Sequence, residues 1–503
     1  MDRFKETIKS QMFELGFLDT STSYCTIPFY FYYKNEDNDS QFMPSALLKD
    51  SFFSALQEFP ILAGRLHMKN GGIGASIRVG ESDINMPEYC EINSNVHFDE
   101  LEAENFSWDA LPKEISQPGF VMRKGEDGII KLATIKIARL DNNSGLVLLA
   151  NIAHVVMDTS GVTTFLKRWA QLCRQQTHKT SDVDSVISRK LLWHDRKYLY
   201  DSLPEQGEPL DHVTGMINRT KSTISTFFAR LSPEARSKVM GFTVSFFPAD
   251  SHMFRLPFQK LRALKAAILA SSTSDCHHMS DNDVITALLS MVVIQCNKGH
   301  HSIAAEEPKS SSLFGCFKSS KSNSKNKSKS SNDEQRLVTI AVDCRYRLGQ
   351  PDMARYTGNG IISHVLAFPL HDIRAEIKPE SLARCALLVR QGVNSITPQY
   401  IREYVNLGDS APDCFQRLMA YMIHVPTRFC VSSQARLDFY GADFGNGRPV
   451  WVSPPKTYVP GYSSVLPAPA SCEYYNIYVS VRGDIMAKVL CHPFWNSLVE
   501  LIY

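Results

Sequence analysis

From Leu146 to Ala153 the chain is apolar with Asn151 as the one interruption, and the run ends at His154. Eight residues of this kind suit a strand buried on both faces of its sheet. Beyond Asp158-Thr159-Ser160-Gly161, the positions Val162, Phe165, Leu166, Trp169, Leu172 and Cys173 trace the stripe of an amphipathic helix. Thr159 or Ser160 is available as its N-cap. The unit is strand, tight loop, helix, and both His154 and Asp158 lie in the loop.

Mixed signals of the same kind continue on either side. Ala46 to Phe59 carries Leu47, Leu48, Phe52, Phe53, Leu56 and Phe59 at helical spacing; Pro60 stops that helix, and Ile61 to Leu66 leads into a strand. Gly71-Gly72-Ile73-Gly74 superficially resembles a nucleotide-binding glycine run, but strand-like segments flank it and it opens no helix, so a hairpin turn is expected. In the second half, Met279 to Val284 offers an N-cap and an acidic first turn ahead of Ile285, Leu288, Leu289, Val292 and Val293 on one face. The polar stretch 206–222, with Gly207, Pro209 and Gly215, reads as a crossover connection between halves.

Composition bounds the function. The 503 residues are 44% hydrophobic and 21% charged, the averages of a globular protein with a sizeable core, and the net charge of +2 gives no field that favours nucleic acid. The twelve cysteines form no CxxC pair, so neither a disulfide framework nor a zinc ribbon is indicated. Cys276, His277 and His278 are adjacent and have no second ligand pair at a fixed spacing; no metal site is expected. The first residues carry acids and lack a signal-peptide core, and the longest apolar run, Gly145 to Met157, falls short of the roughly twenty residues of a membrane span. A soluble, cytoplasmic monomer is the expectation.

Two motifs stand out, His154-Val155-Val156-Met157-Asp158 and Asp443-Phe444-Gly445-Asn446-Gly447. With them occur Pro60-Ile61-Leu62-Ala63-Gly64-Arg65-Leu66, Val342-Asp343-Cys344-Arg345-Tyr346-Arg347, Tyr356-Thr357-Gly358-Asn359-Gly360 and Val431-Ser432-Ser433-Gln434-Ala435-Arg436. In that order the set resembles the BAHD acyltransferases, which move an acyl group from coenzyme A to an alcohol or amine. The resemblance implies an α/β fold of two similar-sized mixed-sheet domains with the active site in a channel between them. By position these would be residues 1–205 with the His-x-x-x-Asp motif and 223–503 with the Asp-Phe-Gly-x-Gly motif. It implies acyl-coenzyme A as co-substrate, no permanently bound cofactor, and a small alcohol or amine as acceptor.

The chemistry fits independently. Acyl transfer from a thioester needs a base for a weakly nucleophilic hydroxyl or amine, and imidazole titrates near pH 6.5. The activated acyl group arrives on coenzyme A, and the absence of a Gly-x-Ser-x-Gly elbow is consistent with a mechanism without a covalent enzyme intermediate. Among the histidines only His154 ends a buried strand with a carboxylate four residues on. Carried over by resemblance, Asp158 points away from His154 and pairs with an arginine, here Arg345, to hold the loop. Ser432 could donate to the tetrahedral oxyanion, or be a strand-end serine satisfied by backbone. Asp443, Gly445 and Gly447 would shape a structural loop, with Asp443 anchored to an arginine. Gln434 would line the substrate pocket, where many plant members carry Trp; Asn446 also replaces a Trp, and Thr159 a Gly.

Two alternatives differ in kind: a condensation-type domain served by a carrier protein, which usually shows a doubled His where Ala153 stands here, and a non-catalytic ligand-binding relative. A separate feature is the Ser-, Lys- and Asn-rich stretch at 298–335, read as a disordered insertion. Cys316, between Phe314 and Phe317 and followed by Lys318, Lys321, Lys325, Lys327 and Lys329, could form a weak lipid-plus-basic membrane tether; the plainer reading is a solvated loop.

Overall fold

The computed structural model describes residues 9–503 apart from 23–24, 69–74, 117–121, 123–126, 178–195, 206–248, 272–278, 298–334, 350–352, 375, 411–428 and 457–459. The crossover connection, the Cys276 cluster and the Lys-rich insertion with Cys316 therefore lie outside the described residues.

The run that ends at His154 is the central strand of a five-stranded sheet. Gly145–Ala153 is buried at every position. Thr26–Lys34 and Ala133–Arg139 pair with it antiparallel on either side. Glu88–Asn93 adds beyond Ala133–Arg139, and Trp451–Ser453 adds beyond Thr26–Lys34. Helices Ser45–Glu58 and Thr159–Thr177 pack together against this sheet, where the Trp169 indole donates to the Leu48 carbonyl (3.1 Å) and its ring meets Phe52 at 5.2 Å. The first helix stops at Phe59, and Pro60–Ala63 continues as a turn of 3-10 helix before the strand Arg65–Met68. That strand pairs antiparallel with Ala75–Val79, Met68 opposite Ala75, so the glycine run joins two hairpin strands; the run itself is outside the described residues.

The second domain is built on a seven-stranded mixed sheet in the order Ile361–Pro369, Gln335–Asp343, Phe429–Ser433, Tyr462–Leu466, Tyr474–Arg482, Ala249–Pro257, Glu500–Leu501. Helix Asp281–Cys296 is almost wholly buried. Its N-terminus is closed reciprocally, the Ser280 amide donating to the Asp283 carboxylate (2.7 Å) and the Asp283 amide to the Ser280 hydroxyl (3.3 Å).

Chain order and spatial order part at the Asp-Phe-Gly-x-Gly segment. By position it belongs to the second domain, but Phe439, Tyr440, Ala442, Phe444, Trp451 and Val452 are buried in the first domain's core. Phe444 sits edge-on to Trp169 (4.9 Å) and Tyr33 (5.8 Å), and the Tyr33 hydroxyl donates to the Ala442 carbonyl (2.8 Å). A large aromatic surface with a short edge strand after it buries best where an open sheet edge and an aromatic core already exist, and here that is the first domain.

Candidate active site

The loop after Ala153 is held from several sides. The His154 amide donates to the Cys25 carbonyl (2.9 Å), and the His154 carbonyl accepts from the Thr22 hydroxyl (3.2 Å) and the Asn359 amide nitrogen (2.8 Å). Arg196, from the short helix Arg196–Asp201, donates to the Val156 carbonyl (3.0 Å) and grips the Asp19 carboxylate with two bonds of 2.6 Å.

Asp158 does not face the imidazole. Its Oδ2 accepts from Arg345 (2.8 Å) and from the Gly360 amide (2.9 Å), and Oδ1 accepts from the Gly161 amide (3.1 Å). Asp158, rather than Thr159 or Ser160, is thus the cap of helix Thr159–Thr177. A carboxylate there also complements the partial positive charge of the helix start. Arg345 is as buried as its partner and donates further to Asp343 Oδ1 (3.1 Å) and to the Tyr356 carbonyl (2.8 Å). The two carboxylates beside it drive its pKa up against the desolvation that opposes them.

The imidazole of His154 meets Asn359, whose Oδ1 lies 3.1 Å from Nδ1. Asn359 Nδ2 in turn donates to Asp19 Oδ1 (2.9 Å). Desolvation holds the His154 pKa below the ordinary imidazole value, although Asp158, Asn359 and Asp19 each pull it upward. The sequence motifs do not mark Asn359, Asp19 and Arg196 as site residues. Asn359 lies in the Tyr-Thr-Gly-Asn-Gly segment and so had a signal; Asp19 and Arg196 had none.

A cavity of about 1250 Å³ lies between the two sheets and is lined by His154, Asn359, Thr159, Ser432 and Gln434 among others. Ser432 reaches it from the strand Phe429–Ser433, whose backbone pairs with Ala341 and Ser464. Gln434 is buried at the wall; its Nε2 is 3.5 Å from the Thr159 hydroxyl, and its Oε1 has no partner among the described residues. Lys265, Arg347, Arg390 and Arg436 also line the cavity, the first paired with Asp281 (2.6 Å) and Arg390 with Asp283.

Asp443, Gly445 and Gly447 do not line the cavity. Asp443 Oδ1 accepts from the amides of Gly445 (2.8 Å) and Gly447 (3.2 Å), and both glycines have positive φ, +113° and +102°. The expected arginine anchor exists in altered form: Arg174 donates to the Asp443 main-chain carbonyl rather than to its carboxylate. Asn446, in the Trp position, accepts from the Met43 amide (3.0 Å) and donates to Asp39 (3.1 Å).

A family model described as the Transferase family matches residues 5–223 and 317–491. The chain belongs to the BAHD acyltransferases. Among curated relatives of this BAHD chain, the O-acetyltransferase astG of Aspergillus oryzae is 24% identical over 335 residues, which cover 59% of this chain and 62% of that enzyme. The matched part is thus less than two thirds of the fungal relative. A hydroxycinnamoyltransferase of Narcissus pseudonarcissus is 23% identical over 474 residues, covering 92% of this chain and 90% of that one. Among solved structures, TRI101 of F. sporotrichioides complexed with coenzyme A and T-2 superposes with a TM-score of 0.72 at 16% identity, over 98% of this chain and 100% of that one. That superposition establishes the shared two-domain BAHD fold.

Proposed function

We propose that the chain transfers an acyl group from acyl-coenzyme A to a hydroxyl of a small-molecule acceptor, with His154 as general base. The observation that carries this reading is the placement of His154: one ring nitrogen is engaged by Asn359, and the ring lines a cavity large enough for two co-substrates. The acceptor hydroxyl gives its proton to the imidazole as its oxygen attacks the thioester carbonyl. Collapse of the tetrahedral intermediate expels the thiolate, which recovers the proton from the imidazolium. Ser432, which lines the same cavity, carries a hydroxyl that donates to the intermediate's oxyanion.

A hydroxyl acceptor is supported by the name of the fungal relative, an O-acetyltransferase. Coenzyme A is bound in TRI101, which supports the same co-substrate here. The test is release of free coenzyme A thiol from a few acyl-coenzyme A donors crossed with pooled alcohols and amines. His154→Ala should lower the rate about 100- to 10,000-fold. Transfer at the normal rate by that variant would sink the assignment.

A further inference from the structure

We infer that Asn359, pinned by the buried Asp19–Arg196 pair, is the positioning residue that fixes the tautomer of His154. The inference rests on the reading of His154 as base. Asn359 is buried, and its amide faces three groups: Asp19 Oδ1 at 2.9 Å, the His154 carbonyl at 2.8 Å and His154 Nδ1 at 3.1 Å. The first two can only accept. Both must therefore be served by the amide nitrogen, which leaves the amide oxygen facing Nδ1. An oxygen there can only accept, so Nδ1 carries the proton and Nε2 is left with its lone pair.

This choice matters because unconstrained imidazole prefers the opposite tautomer, with the proton on Nε2. A base that must accept a proton on Nε2 is competent only in the tautomer that Asn359 selects. Asp158 cannot do this job, since both its oxygens are spent on Arg345 and on the amides of Gly161 and Gly360. Asp19 acts one step further back. Arg196 donates to both of its oxygens, in two bonds of 2.6 Å, so the Asp19 side chain meets Asn359 as an acceptor. An amide flip would place Oδ1 against that carboxylate and the His154 carbonyl, an arrangement with no donor in it. The alignment runs through residues 19, 154, 196 and 359, and it ties the opening segment of the chain to the reacting nitrogen.

Protein labelled with 15N in its histidine rings gives the test, the His154 signals being those lost in His154→Ala. In the wild type Nδ1 should resonate as a protonated nitrogen and Nε2 as an unprotonated one; the reverse overturns the inference. Asn359→Ala should shift His154 toward the Nε2-protonated form and lower kcat on the order of 10- to 100-fold, a fraction of what a positioned base supplies, with KM for acyl-coenzyme A little changed. An alanine variant with unchanged tautomer and rate would overturn the inference. Should Asn359→Ala not fold, the wild-type spectrum decides it. Failure of the general-base reading is a separate result: it shows as a fully active His154→Ala, whatever the tautomer.

Discussion

His154 works against two opposed influences, burial that disfavours its charged form and nearby acceptors that favour it, and burial wins. The neutral ring is the form that takes a proton from the acceptor, so activity is lost as pH falls through the folded-state pKa, which lies below the ordinary 6.5. The kcat/KM profile should be level from pH 8 down to about 6.5 and drop only below that; a limb centred above pH 7 would contradict the depressed pKa. Ser432→Ala removes one hydroxyl from the cavity without altering backbone pairing. If that hydroxyl serves the oxyanion, kcat should fall about 100-fold; a change under twofold would return Ser432 to the role of a strand-end serine. Gln434 has a buried oxygen without a partner among the described residues, which is the kind of group an acceptor's donor can satisfy.

At the scale of the element, the loop 154–158 owes its shape to groups from distant parts of the chain. Asp158→Asn keeps the side chain's shape but leaves Arg345 short of one charge in a buried setting. The loss should be about 3 kcal/mol, the lower end for breaking a buried pair, because Asp343 remains beside the guanidinium. Chemical denaturation would measure it. Gly161, in the first turn of the following helix, has the Thr357 carbonyl 2.2 Å from where a Cβ would be. Gly161→Ala must push the 357–360 segment away, at about 1–3 kcal/mol, and Asn359 moves with it. Activity should therefore fall further in that variant than its thermal stability would suggest. The strand and helix around this loop were legible in sequence because their apolar periodicity is local. So was the pairing of Asp158 with Arg345, though only through family resemblance. The Asp19–Arg196–Asn359 alignment was not, since its members lie up to 340 residues apart and each alone is an ordinary polar residue.

At the scale of the molecule, the core of the first sheet is closed by residues from far beyond position 205. Phe444 fills the first domain's core between Trp169 and Tyr33, and Phe444→Ala should cost about 3–5 kcal/mol. Residues 1–205 produced alone should expose apolar surface, bind a hydrophobic dye and lack a cooperative transition, whereas a fragment that unfolds cooperatively would show the later segment to be dispensable. Chain position could not reveal this exchange, because hydrophobic pattern says that a segment is buried and not against what.

The short strand Trp451–Ser453 also has a meaning in time. Until it emerges from the ribosome, Thr26–Lys34, an aromatic-rich strand buried along nearly its whole length in the finished protein, is an open sheet edge. At bacterial or eukaryotic elongation rates that wait, counted from completion of the central strand, lasts roughly 15–60 s. During synthesis the growing chain is thus a half-closed sheet seeking a partner, and the demand for chaperones should be set by how fast the stretch between Ala153 and Trp451 is made.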